Sequence, residues 1–316
     1  MNTQATAKCR GLSLMSGGLD SQLAVRVLQR AGAHVEAVMF TSPFFKDDGT
    51  AARAAAALGV ELRKIDFTAD ILELIAAPPH GFGGAMNPCI DCHARMIRRA
   101  GELMRELGYD FVATGEVQGQ RPMSQNRQSL GIVAKSSGLE GRLVRPLSAK
   151  LLEPTVPEAA GLLDRDALLD ISGRARDRQI ALAAEFGIVD YPAPAGGCRL
   201  TEEGFSRRLK DLMEHEGLGD RGLVELLVVG RRFRLAGGSS LVLGRDAKEN
   251  AALAAIAGRR EGDLLVRPPA GAVGPNAYLP QLAAAGDASI AAALVAAYCR
   301  GTTEADRAPF KPFQIF

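Results

Sequence analysis

The sequence has no tryptophan, and phenylalanine and tyrosine supply an aromatic content of only 5% in 316 residues. The sequence therefore gives little indication that nucleic-acid bases stack on aromatic side chains. The sequence also lacks any apolar run long enough to span a bilayer, which argues against a membrane helix. Its first ten residues lack the apolar core of an export signal. We therefore expect a cytoplasmic protein with no membrane partner.

Charge of either sign is not in excess, since 38 Lys and Arg residues face 36 Asp and Glu residues and the net charge is +2. This balance neither proves nor excludes a nucleic-acid partner, because basic side chains can cluster locally. Five cysteines form an odd set, which argues against a disulfide framework in a chain without an export signal. Metal binding and sulfur chemistry stay open.

Hydrophobic periodicity alternates between strand and helix over the first 114 residues. Short apolar runs predict buried strands, and stretches with one apolar face, closed by a glycine, predict helices. The predicted strands are 11–16, 35–41, 60–67 and 110–114, and the predicted helices are 19–31, 50–58 and 91–107. This order predicts an α/β fold with a mostly parallel, Rossmann-like sheet and helices on both faces.

The pattern changes near 191–197, where Pro and Gly cluster as in a linker or a shaped loop. We therefore predict two domains, 1–202 and 203–316, of which the second is a smaller α/β domain. The strands predicted in it are 223–229, 231–235 and 239–243, and the helices are 205–215, 246–257 and an Ala-rich stretch within 281–297.

A glycine-rich loop, SGGLDS, joins the first predicted strand to the first helix. Gly17 and Gly18 let the backbone approach a charged ligand, and the amides at the following helix start favour an anion. Asp20 would repel that anion unless a cation intervenes, so we expect it to help hold Mg²⁺. The loop is not a Walker A motif. The expected anion-binding residues are Ser16, Gly17, Gly18, Leu19, Asp20 and Ser21.

SGGLDS resembles the PP-loop of the ATP pyrophosphatases, the adenine nucleotide alpha-hydrolase superfamily. The resemblance implies that ATP is split into AMP and pyrophosphate while a substrate carbonyl oxygen is adenylated, with Asp20 in a catalytic role. The resemblance does not identify the substrate, since the superfamily includes tRNA thiolases, amide-forming synthetases and small-molecule sulfur-insertion enzymes.

Two further segments are similar to parts of 4-thiouridine synthetases. FTSPFF, Phe40–Phe45, resembles their adenine-contacting segment and implies nucleotide contacts from Phe40 and Thr41. TGEVQGQRPMSQ, Thr114–Gln125, resembles their Gly-Glu…Ser-Gln pattern. It implies nucleotide contacts from Gly115 and Gln118 and substrate contacts from Ser124 and Gln125. Both segments follow predicted strands at the carboxyl edge, where open α/β sheets bind ligands.

The cysteines give a third clue. Cys89 and Cys92 lie in NPCIDCH, which resembles the NP…C segment of tRNA 2-thiouridylases, with Cys92 and Cys198 at the positions of their two reactive cysteines. In one interpretation these two pass a persulfide sulfur. In another, Cys89, Cys92 and Cys198 hold a [4Fe–4S] cluster, and thiolates are the usual ligands of such clusters.

Two other interpretations of these cysteines stay open. A zinc site would need a fourth ligand, for which His93 is the nearby candidate. Alternatively, the cysteines are buried and inert. Cys9 and Cys299 have no partner by spacing and are expected to pack in the core.

The segment Val228–Asn250 resembles the RNA-binding module of bacterial ribosome-quality-control factors, an NFACT-R-like domain. Arg231 and Arg232 are the expected RNA contacts, because basic side chains bind phosphates whatever the base sequence. The local basic clusters are Arg231, Arg232 and Arg234, and Arg207, Arg208 and Lys210. A solvated charged face is the alternative.

The resemblances together imply a cytoplasmic, ATP-dependent tRNA sulfurtransferase, a thiouridine synthase. Its partners would be tRNA and a sulfur donor, either sulfide or the persulfide of a cysteine desulfurase. One alternative is a PP-loop enzyme that adenylates a small molecule for sulfur insertion or amidation. Another is a non-catalytic RNA-binding protein with a degenerate nucleotide site.

Overall fold

The computed structural model describes residues 9–45, 47–121, 123–193, 198–257, 262–280 and 284–316. The chain divides into two compact units, Met1–Cys198 and Arg199–Phe316, which we call the N-terminal and C-terminal domains. None of the helices in the described ranges combines the length and the apolar character needed to cross a membrane.

Five parallel strands form the sheet of the N-terminal domain. They are β1 (Cys9–Leu14), β2 (Ala33–Thr41), β3 (Leu62–Asp66), β4 (Phe111–Ala113) and β5 (Leu143–Val144). Their order in the sheet is β3-β2-β1-β4-β5, and β1 pairs in parallel with both β2 and β4. The predicted Rossmann-like α/β class is confirmed. The strand order reverses beside β1, and such a switch point is where open α/β sheets bind ligands.

Seven helices accompany this sheet in the described residues. They are α1 (Leu19–Arg30), α2 (Thr50–Leu58), α3 (Thr68–Ala76), α4 (Cys89–Glu106), α5 (Arg127–Ser137), α6 (Val156–Ala159) and α7 (Asp177–Glu185). Helix α1 forms because Leu23, Val27 and Leu28 share one face, and all three are fully buried in the core. Helix α1 begins directly after the loop that leaves β1. The SGGLDS segment therefore lies between the end of β1 and the first turn of α1.

The C-terminal domain has an antiparallel sheet. Its strands are β6 (Arg231–Arg234), β7 (Ser240–Leu243), β8 (Leu264–Val266), β9 (Ala277–Leu279) and β10 (Gln314–Ile315), in the order β10-β6-β7-β9-β8. Its helices are α8 (Glu203–His215), α9 (Arg221–Glu225), α10 (Ala247–Ile256), α11 (Asp287–Ala297) and α12 (Glu304–Arg307). Phe233, Leu241 and Leu294 lie in a core of its own.

The strand predicted over 223–229 is wrong. The segment forms α9 and a 3₁₀ turn at Leu226–Val228, because the Asp220 carboxylate caps the amides of Gly222 and Leu223. A short apolar run does not by itself distinguish a buried strand from a buried helix. Of the loop predicted over 191–197, residues 194–197 lie outside the described residues, as do residues 281–283 of the Ala-rich stretch.

Candidate functional site

The glycine-rich loop turns sharply between β1 and α1. Gly17 has a φ of 78°, and a Cβ there would lie 2.7 Å from the backbone nitrogen of Ala51. Only glycine fits this left-handed and crowded position. The side chain of Gln22 donates to the carbonyl of Gly17 at 2.8 Å and so fixes the turn from the helix side.

The first turn of α1 is uncapped. Gly18 is the N-cap and has no side chain that could accept from the amides that follow it. The hydroxyl of Ser21 donates to the Gly18 carbonyl at 2.8 Å, and the Ser16 hydroxyl accepts from the Gly18 amide at 3.3 Å. The first amides of a helix have no partner within the helix, and the helix dipole adds partial positive charge there. The start of α1 is therefore built to receive an anion.

Asp20 lies in this first turn with half of its carboxylate unsatisfied. Its Oδ2 accepts from Nε2 of Gln120 at 3.1 Å, whereas its buried Oδ1 has no hydrogen-bond partner among the described residues. Burial raises the pKa of Asp20, partly offset by the Gln120 hydrogen bond and the charges of Arg176 and Arg121. An orphaned carboxylate oxygen beside an anion site fits a hard cation such as Mg²⁺.

Arg121 and Arg176 were missed by the sequence analysis. Both lie near enough to Asp20 to act on its charge, and Arg176 is the N-cap residue of α7. The Nε of Arg176 is buried and has no acceptor in the described part of the chain. The signal that could have found Arg176 is the run RARDR at 174–178, directly before a helix. These two cations suit a polyanionic ligand.

The segment after β4 closes against α1. A Cβ on Gly115 would lie 2.6 Å from the carbonyl of Asp20, so glycine is required for the loop to approach the first turn. Gln118 is held through its backbone, which donates to Oγ of Ser148 at 3.0 Å and accepts from the amide of Gly173 at 2.8 Å. Its buried side-chain Oε1 has no partner in the described ranges, which leaves an acceptor for a ligand.

The ends of β2 and β3 form an aromatic cluster. The ring of Phe40 packs edge-on against Phe67 with centroids 5.3 Å apart, and Phe45 stacks on the same ring at 6.2 Å. The hydroxyl of Thr41 donates to the Ile65 carbonyl at 3.3 Å. Phe40 and Thr41 thus lie at the carboxyl edge of the sheet, as expected, and Phe40 itself is largely buried.

A buried carboxylate organises the Gly-Glu…Ser-Gln segment. Glu116 accepts from Nε of Arg145 at 2.8 Å and from the hydroxyl of Thr114 at 3.1 Å, and its other oxygen lies 3.1 Å from Nδ1 of His93. Burial alone would raise the pKa of Glu116, but Arg145 and His93 lower it to about 2. This network ties α4 and β5 to the end of β4.

Ser124 and Gln125 are almost fully buried. The Gln125 amide donates to the Arg121 carbonyl at 2.8 Å, and its carbonyl accepts from the Gly119 amide at 2.7 Å. The side-chain Oε1 of Gln125 is unpartnered among the residues described. These two residues therefore shape a tight turn at the carboxyl edge and leave one amide oxygen for a ligand.

The three predicted cysteines come together although Cys198 follows the other two by more than one hundred residues. Cys89 opens α4, Cys92 is buried one turn later, and Cys198 forms an isolated β-bridge with Phe45. Burial raises the pKa of Cys92 well above its ordinary value, and the nearby thiols of Cys198 and Cys89 raise it further. None of the five cysteines, all of which lie within the described ranges, forms a disulfide bond, and Cys9 and Cys299 are buried as predicted.

No three His, Cys, Asp or Glu side chains within the described ranges are arranged to hold a metal ion. The mutual influence of the three thiols nevertheless shows that they share one neighbourhood. A four-iron cluster is larger than one ion, so its ligands need a wider spacing than a zinc site gives them. Thiolates are the usual ligands of such clusters, whereas a structural zinc site takes four ligands.

The loop before the cysteines is tied to α4. Asp91 accepts from the backbone amide of His80 at 3.0 Å and lies 2.6 Å from Nδ1 of the same residue. Asn87 donates through Nδ2 to Sγ of Cys89 at 3.1 Å. These contacts hold the cysteine segment in place without using the thiol of Cys92.

The three arginines of β6 do not form one exposed patch. Arg231 packs its guanidinium over the ring of Tyr298, 5.4 Å from the centroid. Arg234 binds the carboxylates of Asp211 and Glu216. Arg232 is buried and only 2% exposed. The structure thus separates side chains that the sequence places side by side.

Residues 6–150 match the family model described as "Thiamine biosynthesis protein (ThiI)". Among curated proteins, the chain is similar to the tRNA-specific 2-thiouridylase MnmA of Marinobacter nauticus, with 31% identity over 136 residues, which are 38% of this chain and 34% of that protein. The same enzyme of Chloroflexus aggregans is 36% identical over 126 residues, 33% of this chain and 34% of that protein. The chain spans about a third of the length of these relatives.

Two solved structures resemble the fold. A 4-thiouridine synthetase–RNA complex with bound ATP gives a TM-score of 0.39 at 20% identity, over 70% of this chain and 53% of that one. A predicted tRNA methyltransferase subunit from Methanocaldococcus jannaschii gives 0.36 at 16% identity, over 56% of this chain and 76% of that one.

Proposed function

We propose that this chain, whose N-terminal domain belongs to the PP-loop proteins of the tRNA-thiolation group, is an ATP-dependent tRNA sulfurtransferase, a thiouridine synthase. The observation that carries the proposal is the uncapped start of α1 beside the unsatisfied carboxylate oxygen of Asp20. The matched curated relatives are named tRNA-specific 2-thiouridylases, and this site has the donors that a bound nucleotide would require.

ATP would bind with its phosphates on the free amides of Leu19, Asp20 and Ser21. The hydroxyls of Ser16 and Ser21 add donors, and the charges of Arg121 and Arg176 offset the phosphate charge. Oδ1 of Asp20 would hold Mg²⁺, which neutralises phosphate charge when it is bound. This arrangement places the carboxylate and the anion site in one crevice without mutual repulsion.

The nucleoside and the substrate base would lie along the carboxyl edge of the sheet. Phe40 and Thr41 end β2, and Gly115 and Gln118 follow β4 on the other side of β1. The unpartnered amide oxygens of Gln118 and Gln125 are acceptors for N–H groups of adenine or uracil. Ser124 stands next to Gln125 and is proposed with it on the substrate side.

The reaction replaces a carbonyl oxygen of uridine by sulfur in two displacements. The carbonyl oxygen attacks the α-phosphorus of ATP, the bond to the β-phosphate breaks, and pyrophosphate leaves. A sulfur nucleophile then attacks the activated ring carbon, and AMP carries the oxygen away. The amides of α1 and the two arginines stabilise the charge that collects on the leaving pyrophosphate, and the fixed loops align the reacting atoms.

Sulfur would be delivered at the cysteines. Cys89, Cys92 and Cys198 would hold a [4Fe–4S] cluster, which supplies an open iron position for sulfide. The convergence of all three thiols supports this, because transfer between two reactive cysteines gives Cys89 no role. Persulfide transfer between Cys92 and Cys198 is the competing route.

RNA contact is proposed for the C-terminal domain through its basic side chains, Arg231 and Arg232 among them. Arg231 keeps part of its surface exposed while it packs on Tyr298. Phosphate contacts of this kind position a nucleic acid without reading its sequence.

The thiolation reaction is tested with purified protein, ATP, Mg²⁺, sulfide and unmodified tRNA, followed by mass spectrometry of the tRNA nucleosides. We expect thiouridine with the wild type and none with Asp20→Asn, which removes the charge and keeps the shape. Asp110→Asn is the matched control, because Asp110 lies before β4 at the amino edge of the sheet and accepts from the Arg10 amide.

Two results would contradict the proposal. Release of pyrophosphate that a small metabolite stimulates and tRNA does not would point to a small-molecule enzyme. Unchanged function in Asp20→Asn would point to a non-catalytic RNA-binding protein.

The cluster is tested by anaerobic purification and by assay of iron and acid-labile sulfide. We expect brown protein that loses its iron in Cys89→Ala and keeps it in Cys9→Ser, since the Cys9 thiol only donates to the Leu162 carbonyl in the core. Colourless protein in which Cys89→Ala stays active, while Cys92 or Cys198 carries an extra sulfur atom by mass spectrometry, would establish the persulfide route instead.

A further inference from the structure

A buried arginine of the C-terminal domain has no hydrogen-bond partner. Arg232, on β6, is 2% exposed, and all three of its guanidinium nitrogens are buried and unpartnered within the described ranges. The nearest carboxylate oxygen, Oδ2 of Asp211, lies 3.9 Å from its Nε. A guanidinium has five N–H donors, and leaving a buried charge unsatisfied costs several kcal/mol. We therefore expect Arg232 to interact with an acceptor that the described residues do not provide.

The neighbouring carboxylates are already occupied by another arginine. Arg234 donates through Nε and Nη2 to the two oxygens of Asp211, at 3.1 and 2.7 Å. It also donates through Nη1 and Nη2 to the two oxygens of Glu216, at 2.6 and 3.0 Å. Two arginines thus lie beside two carboxylates, and within the described ranges it is Arg234 that donates hydrogen bonds to both carboxylates. The positive charge of Arg232 is left without a bonded partner.

A second arginine brings more positive charge near Arg232, because Arg208 lies on α8 one turn before Asp211, whose carboxylate is 3.9 Å from Arg232. Arg208, on α8, donates through Nε to the Gly204 carbonyl at 3.2 Å and lies over the ring of Phe205. It is half-buried, so solvent reaches part of its side chain. Burial lowers the pKa of Arg208, and the like charges of Arg245 and Arg199 lower it further. Arg208 and Arg232 also act on one another.

We propose that Arg208 and Arg232 form a binding site for a phosphate group in the C-terminal domain. The phosphate lies on the outer nitrogens of Arg208, which solvent can reach, with the guanidinium of Arg232 beneath it. A tetrahedral oxyanion with several acceptor oxygens satisfies forked donors from two sides, as arginine–phosphate pairs do. The phosphate can come from an RNA backbone or from free phosphate, and the experiment separates these sources.

The inference rests on the proposed RNA contact of this domain and not on the thiolation reaction. If a variant in the site of the N-terminal domain forms no thiouridine, that result therefore does not bear on the phosphate site of the C-terminal domain. Likewise, a failed phosphate site leaves pyrophosphate release by the N-terminal domain unaffected, so the two proposals fail in different assays.

The test measures tRNA binding by the full chain at several salt concentrations. We expect Arg208→Gln and Arg232→Met each to weaken binding about ten-fold and to reduce the salt dependence by about one phosphate contact. Arg221→Gln is the matched control. It also removes an arginine from a helix of this domain, but Arg221 is already paired with Glu225 at 2.9 Å, so binding should stay unchanged.

A second measurement separates binding from folding. Because Arg232 is buried without an acceptor, Arg232→Met should be at least as stable as the wild type in urea, while weakening binding. Hydrogen exchange with inorganic phosphate should show protection of 203–216 and 231–234 in the wild type and none in Arg232→Met.

Protection by phosphate with unchanged tRNA affinity in both variants would assign the site to a free phosphate. Protection together with weakened tRNA binding assigns it to the RNA backbone. Equal protection in wild type and Arg232→Met, or no protection in either, would overturn the proposal.

Discussion

Glu116 carries a negative charge inside the N-terminal domain, and that charge depends on its neighbours. The carboxylate is 6% exposed and bonded to Arg145, itself 6% exposed, and to Thr114. Removing one partner of a buried pair leaves the other charge uncompensated, which costs far more than losing an exposed pair. The residue is therefore a structural support for the loop that carries Gly115 and Gln118.

We predict that Glu116→Gln lowers the free energy of unfolding by about 3 kcal/mol, because Arg145 keeps its charge and loses its counter-charge. Urea denaturation at neutral pH measures this. The matched control is Glu185→Gln, which breaks the exposed pair with Arg30 at 3.3 Å and should cost less than about 1 kcal/mol. Equal losses in the two variants would contradict the role given to Glu116.

The pH dependence follows from the same carboxylate. The folded protein holds the pKa of Glu116 at about 2, below its ordinary value of 4.5, so the stabilisation is present above the ordinary pKa and is lost as the pH falls towards the folded one. This shift corresponds to about 3 kcal/mol. We expect the difference in unfolding free energy between wild type and Glu116→Gln to shrink from pH 6 to pH 3, as measured by urea titrations. A constant difference would contradict this.

At the scale of elements, the site is the meeting of the β4 loop with the first turn of α1. β4 is the neighbour of β1 in the sheet, so the segments that follow the two strands emerge side by side. Gly115 allows backbone contact there, since a Cβ would lie 2.6 Å from both the carbonyl carbon and the carbonyl oxygen of Asp20. Backbone atoms cannot rotate away as a side chain can, so any larger residue must separate the two elements.

We predict that Gly115→Ala weakens ATP binding at least ten-fold, because it moves the α1 amides relative to the β4 loop; a displacement of about 1 Å has effects of this size or larger. Calorimetric titration with ATP measures it. Gly131→Ala is the control: nothing lies within 4 Å of a Cβ at this position inside α5. It should leave ATP binding unchanged and stabilise the protein by about 0.5–1 kcal/mol.

At the scale of the whole molecule, each domain has a hydrophobic core of its own. Leu23, Val27 and Phe111 are fully buried in the N-terminal core, and Phe233 and Leu294 in the C-terminal core. Each core joins helices to a separate sheet. A substitution that opens a cavity in one core should therefore lower the stability of its own domain first.

We predict that Phe233→Ala lowers the stability of the C-terminal domain by about 3–5 kcal/mol, because it leaves a cavity in a fully packed core. Hydrogen exchange should quicken in 199–316, while 9–193 and ATP binding stay as in the wild type. Leu23→Ala is the reciprocal control and should quicken exchange in the N-terminal domain. Uniform acceleration over both domains in either variant would contradict separate cores.

The sequence by itself determined the parallel sheet, the first two helices and the glycine-rich loop. These follow from local rules: alternating strand and helix periodicity, glycines where the chain turns, and a helix start beside Asp20. Family resemblance then pointed to the PP-loop proteins of tRNA thiolation, and residues 6–150 match the ThiI family model while a shorter stretch is similar to tRNA-specific 2-thiouridylases. The nucleotide, metal and substrate roles of individual residues stay predictions.

Only the tertiary structure decided which distant residues meet. Arg176 comes near Asp20, Cys198 near Cys92, and Glu116 near Arg145, through strand order and long connections that no local pattern encodes. It likewise decided that, of the neighbouring arginines on β6, Arg234 is hydrogen-bonded to carboxylates, whereas Arg232 is buried without a hydrogen-bond partner among the described residues. Charge and burial depend on packing between elements, whereas periodicity and glycine turns depend on the chain alone.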